Sequence, residues 1–163
     1  MSGFVKAYVA PAPRSKASGF AAIIYAAVLT IFAVTQLFTF EDFIKVFQAS
    51  FSPLGIGFGV VLAAMVVIAE VFALPALLRM PLSIAFRWVS IGLTIVVPLL
   101  WLSISFWSVT QKGIETVGFL GALVSPEPGA WAIAFSFALL FLAGWAVYGI
   151  LPPRNHNIKR TAK

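Results

Sequence analysis

The sequence predicts an all-α, polytopic membrane protein: a bundle of four transmembrane helices, with a short interfacial amphipathic helix after the first span. Three observations carry this. Of the 163 residues, 61% are hydrophobic and only 10% are charged, where a soluble domain carries about 25% charged residues. The apolar runs are continuous, each near the ~20 residues that cross a bilayer, and they lack the polar alternation of barrel strands. Basic residues gather in alternate connections, which counts the spans a second time. The chain reads as a single membrane domain over residues 1–163.

Residues 1–16 form a basic tail with Lys6, Arg14 and Lys16, in which Pro11 and Pro13 oppose a continuous helix. A basic start before an apolar run resembles a signal peptide. The run from Ala17 to Phe40, however, is 24 residues without a charge, longer than a signal peptide's hydrophobic region. It is expected to remain as the first span, over residues 19–38. Residues 40–51 follow, with Phe40, Phe43, Ile44, Phe47 and Phe51 at helical spacing. Thr39 is placed to cap this segment, and Glu41 and Asp42 lie in its first turn, where the helix dipole favours anions. The pattern predicts an amphipathic helix lying at the membrane surface.

The second span is expected over residues 53–78, opening at Pro53. Gly55 and Gly59 share one helix face, a spacing that permits close helix approach. A short turn containing Arg79 and Pro81 leads to the third span, residues 84–109. Arg87 and Trp88 lie near its start, where an arginine can extend to the head groups. Pro98 sits mid-span; its missing N–H frees the carbonyl of Thr94 and its ring can bend the helix. The far half is polar and aromatic, with Trp101, Ser103, Ser105, Trp107 and Ser108. A loop rich in Gly and Pro leads to the fourth span, residues 130–151, with Trp131 at one end and Trp145 and Tyr148 at the other. Pro152 and Pro153 end it, and residues 152–163 form a second basic tail.

The two tails and residues 79–87 hold nine of the eleven basic residues; Lys45 and Lys112 are the other two. The positive-inside rule then places both termini in the cytoplasm. The net charge of +6 is read as this topological signal, and no nucleic-acid partner is expected.

Glu70 is the one charged side chain that cannot be moved to the edge of a hydrophobic segment. An ionisable group at that depth normally faces the protein interior and has a partner. It lies about eight residues, roughly 12 Å of helix, from the cytoplasmic end of its span. Residues of matching depth on the neighbouring spans are Tyr25, Ser90, Thr94, Trp145 and Tyr148, with Arg87 one turn closer to the cytoplasm. The candidate buried polar site is therefore Glu70, Tyr25, Arg87, Ser90, Thr94 and Tyr148. Ala63, Val66, Val67 and Leu74 are expected to share the face of Glu70. Two arrangements are open: a neutral acid, which both donates and accepts hydrogen bonds, or an ion pair with Arg87.

No catalytic residues are expected. The chain has no cysteine and one histidine, His156, in the C-terminal tail. That excludes thiol chemistry, a nucleophilic triad on the third-span serines, and a His/Cys metal centre. No metal and no cofactor is predicted.

Four spans, the segment Phe40-Glu41-Asp42-Phe43 with Phe47, the Glu70 stretch ending at Arg79, and Val117-Gly118-Phe119-Leu120-Gly121 together resemble the DoxX/MauE-like membrane proteins. In MauE-like members the last motif typically reads Cys-Gly-Cys-Phe-Gly; here Val117 and Phe119 stand at the cysteine positions. The resemblance covers roughly residues 19–148. It implies an accessory protein or subunit of a larger, redox-associated membrane complex in the prokaryotic cytoplasmic (inner) membrane, beside other membrane subunits. The replaced cysteines remove dithiol chemistry. What remains is a scaffold, a subunit in contact with quinone or lipid, or a small-molecule passage. Two further readings stand beside it: a small proton-coupled transporter or channel using Glu70, and a membrane enzyme acting on lipid or quinone.

Overall fold

The computed structural model describes residues 12–51, 54–110, 117–121 and 129–151. Most of both tails, Pro53, and the loop residues Lys112, Glu115 and Glu127 lie outside the described residues, as does His156. Among the described residues the chain forms α1 (Lys16–Phe38), α2 (Phe40–Ser50), α3 (Ile56–Leu77), α4 (Ile84–Thr110) and α5 (Ala130–Ile150). Helices α1, α3, α4 and α5 are each long and apolar enough to cross a membrane. At 1.5 Å per residue they run about 32–40 Å, against a hydrocarbon core of about 30 Å. The protein is an all-helical membrane bundle.

The four long helices run up and down, and their neighbours around the bundle are α1–α3, α3–α4, α4–α5 and α5–α1. One end carries the start of α1, the turn between α3 and α4, and the end of α5; we call it the basic end. The other carries α2 and the segment 117–121. At the basic end Arg14 ties the start of α1 to the end of α5. Its Nε donates to the carbonyl of Leu151 at 2.9 Å, and its guanidinium lies 4.7 Å from the Tyr148 ring centroid. Ser15 and Ser18 cap α1 reciprocally.

The predicted boundaries hold to within about three residues at each described end, with two differences of substance. Gly55 is the N-cap of α3, at φ 95°, and not part of a helix face. The close approach falls on Gly59 alone, where a Cβ would lie 2.8 Å from the backbone of Phe47 and Gln48. Thr39 precedes α2 as expected, yet its hydroxyl bonds back to the Thr35 carbonyl at 3.0 Å and gives α2 no side-chain cap.

Helix α2 forms where the periodicity puts it, but its apolar stripe is turned into the bundle. Phe43, Phe47 and Phe51 are buried, and α2 crosses α3 at Gly59. Trp107 on α4 completes this joint, stacking on Phe51 at 5.8 Å and donating its indole N–H to the Ser50 carbonyl at 2.9 Å. Aromatic rings bury large areas and pack best edge-to-face or offset, so three phenylalanines along α2 and a fourth at its C-cap favour a protein surface that presents further rings.

Polar side chains stitch the interior. Both helix-internal prolines lie beside a hydroxyl from another helix. Pro98 cannot donate to the Thr94 carbonyl, and Tyr25 on α1 takes that role, donating its O–H at 3.1 Å. One residue beyond Pro75, Ser90 Oγ accepts from the Ala76 N–H at 3.0 Å and donates to the Phe72 carbonyl at 2.7 Å. The serine is thereby inserted between two groups that an unbroken helix would join to each other. Neighbouring hydroxyls commonly repair proline-broken ladders in apolar surroundings. Ser105 on α4 and Ser136 on α5 lie 3.0 Å apart, fully buried.

The Tyr25–Thr94 bond can be isolated by a double-mutant cycle. Tyr25→Phe should lower stability in detergent by ~0.6–1 kcal/mol. Pro98→Ala restores a backbone N–H to the Thr94 carbonyl, so Tyr25→Phe should cost clearly less in that background. Equal costs in both backgrounds, measured by thermal unfolding, would show that the proline does not create this acceptor.

Candidate functional site

Glu70 is fully buried, at 0% exposure, on the inner face of α3 that also carries Ala63, Val66, Val67 and Ala73. Leu74 is partly buried on the same side. The Glu70 carboxyl group has two donors, and both converge on one oxygen. Trp101 Nε1 on α4 donates to Oε1 at 2.8 Å, and Gln36 Nε2 on α1 donates to the same atom at 3.3 Å. Gln36 Nε2 also donates to the Phe119 carbonyl at 3.1 Å. Glu70 thus joins α1, α3, α4 and the segment 117–121 at one point.

That segment is a turn pressed into the bundle. Gly118 at φ 84° and Gly121 at φ 62° occupy the left-handed region, which glycine enters without steric cost. A Cβ at Gly118 would already touch the Phe43 and Phe47 rings at 3.4–3.5 Å, and one at Gly121 would meet Thr39 and the backbone of α1. Between them Phe119 is buried, with its ring centroid 4.6 Å from Trp101, 5.8 Å from Phe32 and 5.3 Å from Phe135. Phe32 and Phe47 meet Trp101 edge-on at 6.1 and 6.4 Å. The carboxyl group therefore sits beneath an aromatic layer built from α1, α2, α4, α5 and the turn.

Within this layer two acceptors are left over. Glu70 Oε2 and Gln36 Oε1 are buried without a hydrogen-bond partner among the described residues. The orientation of the Gln36 amide follows from its neighbours: its nitrogen faces two acceptors, Glu70 Oε1 and the Phe119 carbonyl, so its oxygen must point the other way.

Compared with known proteins, the chain matches no family model, no curated protein and no solved structure. The site therefore stands on its own geometry.

The sequence-predicted partners are placed differently. Tyr25, Ser90 and Thr94 are fully buried, but they bond backbone, not Glu70: Tyr25 reaches the Thr94 carbonyl, Thr94 Oγ1 the Ser90 carbonyl at 2.9 Å, and Ser90 the α3 backbone. Arg87 is partly buried in the first turn of α4. Both donors to Glu70 are neutral groups, so the carboxyl group is not bonded to Arg87. Tyr148 is 61% exposed on the outer surface of α5, under Arg14.

The reason is the direction in which helical side chains lean. Ser90 lies against residues 72–76, so four residues farther on in each antiparallel helix Thr94 is level with the Glu70 backbone. A Cα–Cβ bond tilts toward its own helix N-terminus. Glu70 thus leans away from the basic end, whereas side chains on α1 and α4 lean toward it. The donors that meet Glu70 start farther along, at Gln36 and at Trp101, two turns beyond Thr94. Arg87 tilts away from Glu70. Tyr148 lies off the buried stripe of α5, which runs through Ala132, Ser136, Leu139, Ala143, Ala146 and Gly149. Gln36 was readable as the one amide within the first span, and polar residues in apolar helices mark the inward face.

Glu70→Gln keeps the acceptor that Trp101 and Gln36 share and replaces the unpartnered Oε2 with an N–H₂ group of the same shape, so it should unfold within about 1 kcal/mol of the parent. Glu70→Leu leaves the Trp101 and Gln36 N–H groups unpaired and should cost ~2–3 kcal/mol. Thermal unfolding in one detergent ranks the three proteins; a leucine variant as stable as the parent would remove Glu70 from its structural role.

Proposed function

We propose that this integral membrane protein is an accessory protein or subunit of a larger membrane complex, of the DoxX/MauE-like kind that its motifs resemble. The observation that supports this is how the interior is used. Trp101, Tyr25, Phe32 and Phe119 are buried in the bundle interior, and Tyr25, Gln36, Glu70, Ser90, Trp101, Ser105 and Ser136 bond one helix to another. The large side chains left outward include Phe20, Phe38, Trp88, Phe141 and Trp145, a surface suited to lipid and to neighbouring transmembrane subunits. In the resemblance, the 117–121 turn occupies the place of a dithiol motif; here it supplies a phenylalanine ring and a carbonyl to the Glu70 cluster, a packing role.

A second reading, a small proton-coupled transporter or channel, is favoured by one atom: Glu70 Oε2, fully buried and without a partner among the described residues. Neutralisation of this acid is the step such a carrier would use.

Purification in mild detergent from native membranes should yield a discrete assembly larger than the single chain, containing other membrane polypeptides. A solitary chain whose proteoliposomes carry a proton-dependent flux, abolished by Glu70→Gln, would replace the accessory reading with the transporter reading.

The charge distribution supports placing the basic end on the cytoplasmic side, and the family resemblance supports a prokaryotic inner membrane. The native chain has no cysteine, so single-cysteine labelling is clean. A cysteine at Ser15 should resist an impermeant maleimide in intact cells, and one at Gln48 should react. The opposite pattern would invert the topology.

A further inference from the structure

At the basic end a groove of about 550 Å³ opens between the start of α1 and the end of α3. Its walls are apolar, formed by Phe20 and Ile23 on α1 and by Leu77 and Leu78 at the end of α3, and its rim carries Lys16 and Arg79. Phe20 and Ile23 are 65% and 61% exposed and lie on the outer surface of a transmembrane helix. The groove therefore runs from head-group level along the hydrocarbon.

Both rim cations occupy positions that local helix physics disfavours. Lys16 is the first residue of α1, where the helix dipole is positive and an anion, not a cation, is stabilised. Arg79 follows α3 with φ 57°, in the left-handed region, as the only described non-glycine residue there. The Met80 N–H reaches back to the Pro75 carbonyl and the Arg79 N–H to the Ala76 carbonyl, at 2.9 and 3.1 Å. This is a helix-ending motif whose turning residue is usually glycine. A side chain other than glycine there carries a steric cost.

We propose that this groove binds one anionic phospholipid, with its phosphate between Lys16 and Arg79 and an acyl chain along Phe20 and Ile23. An anion at the rim offsets the unfavourable placement of Lys16, and Arg79 brings a second cation to the same groove. Two cations over a continuous apolar wall suit a molecule with a charged head and a hydrocarbon tail; a free phosphate ion would leave the wall unused. Basic pockets of this kind between transmembrane helices are where acidic lipid head groups bind. The inference does not depend on the accessory role, since it concerns the outer surface of the bundle.

The full-length protein in detergent, titrated with dioleoyl phosphatidylglycerol or dioleoyl phosphatidylcholine and read by native mass spectrometry, tests this. The parent should form a one-to-one adduct with phosphatidylglycerol in clear preference to phosphatidylcholine. Lys16→Gln and Arg79→Gln should each reduce that preference about fivefold. Arg79→Gly separates binding from folding: glycine enters the left-handed region without steric cost, so the variant should fold, while weakening phosphatidylglycerol binding as Arg79→Gln does. Inorganic phosphate should not compete at concentrations comparable to the lipid. Equal adducts with both lipids, or a preference retained in the Lys16→Gln/Arg79→Gln double variant, would overturn the proposal. So would full competition by inorganic phosphate, which would assign the rim to a free anion.

Discussion

Inside a bilayer a backbone carbonyl or amide that loses its partner finds no water to replace it, so each such group must be satisfied by the protein itself. That constraint accounts for most of the specific contacts in this bundle. Lipid tails are as apolar as leucine, and burying one more leucine between helices gains little over leaving it in lipid. Helices α3 and α5 are accordingly apolar on all sides. What distinguishes their inward faces is where Glu70 and Ser136 lie, and which donors and acceptors those side chains can meet.

The two prolines turn this constraint into a positioning device. Each removes a donor from a transmembrane helix, and beside each stands a hydroxyl from another helix. Tyr25 and Ser90 thereby fix α1 against α4 and α4 against α3 at defined heights. These contacts set the register that brings Gln36 and Trp101 to the level of the Glu70 carboxyl group. The buried acid is thus one member of an interior polar series that continues to the Ser105–Ser136 pair.

The end of the bundle away from the basic residues is closed by rings. Helix α2 folds back across Gly59, and the 117–121 turn inserts Phe119 among Phe32, Trp101 and Phe135. This closure shields the Glu70–Gln36–Trp101 cluster, where the effective dielectric constant is low and each hydrogen bond is correspondingly stronger. The same closure explains why a segment that looks like a Gly-rich loop is buried: Gly118 and Gly121 supply both the turn and the room for α1 and α2 to press against it.

Hydropathy and proline chemistry act locally, and for that reason the sequence alone determined the four spans, the helix at 40–51, the carbonyl of Thr94 as a freed acceptor, and Glu70 as an interior acid. A 20-residue apolar run can be little other than a helix in lipid, whatever surrounds it. Partner identity was decided only by the tertiary structure. Matching residues by backbone depth selected Tyr25, Ser90, Thr94 and Tyr148, whereas the lean of side chains toward their own helix N-termini moves the meeting point outward to Gln36 and Trp101. Likewise the stripe on α2 was legible as amphipathic, but not what it faced. Lipid and an aromatic protein surface are equally apolar, and only the crossing at Gly59, where the absence of one Cβ lets two backbones approach, turns those rings inward.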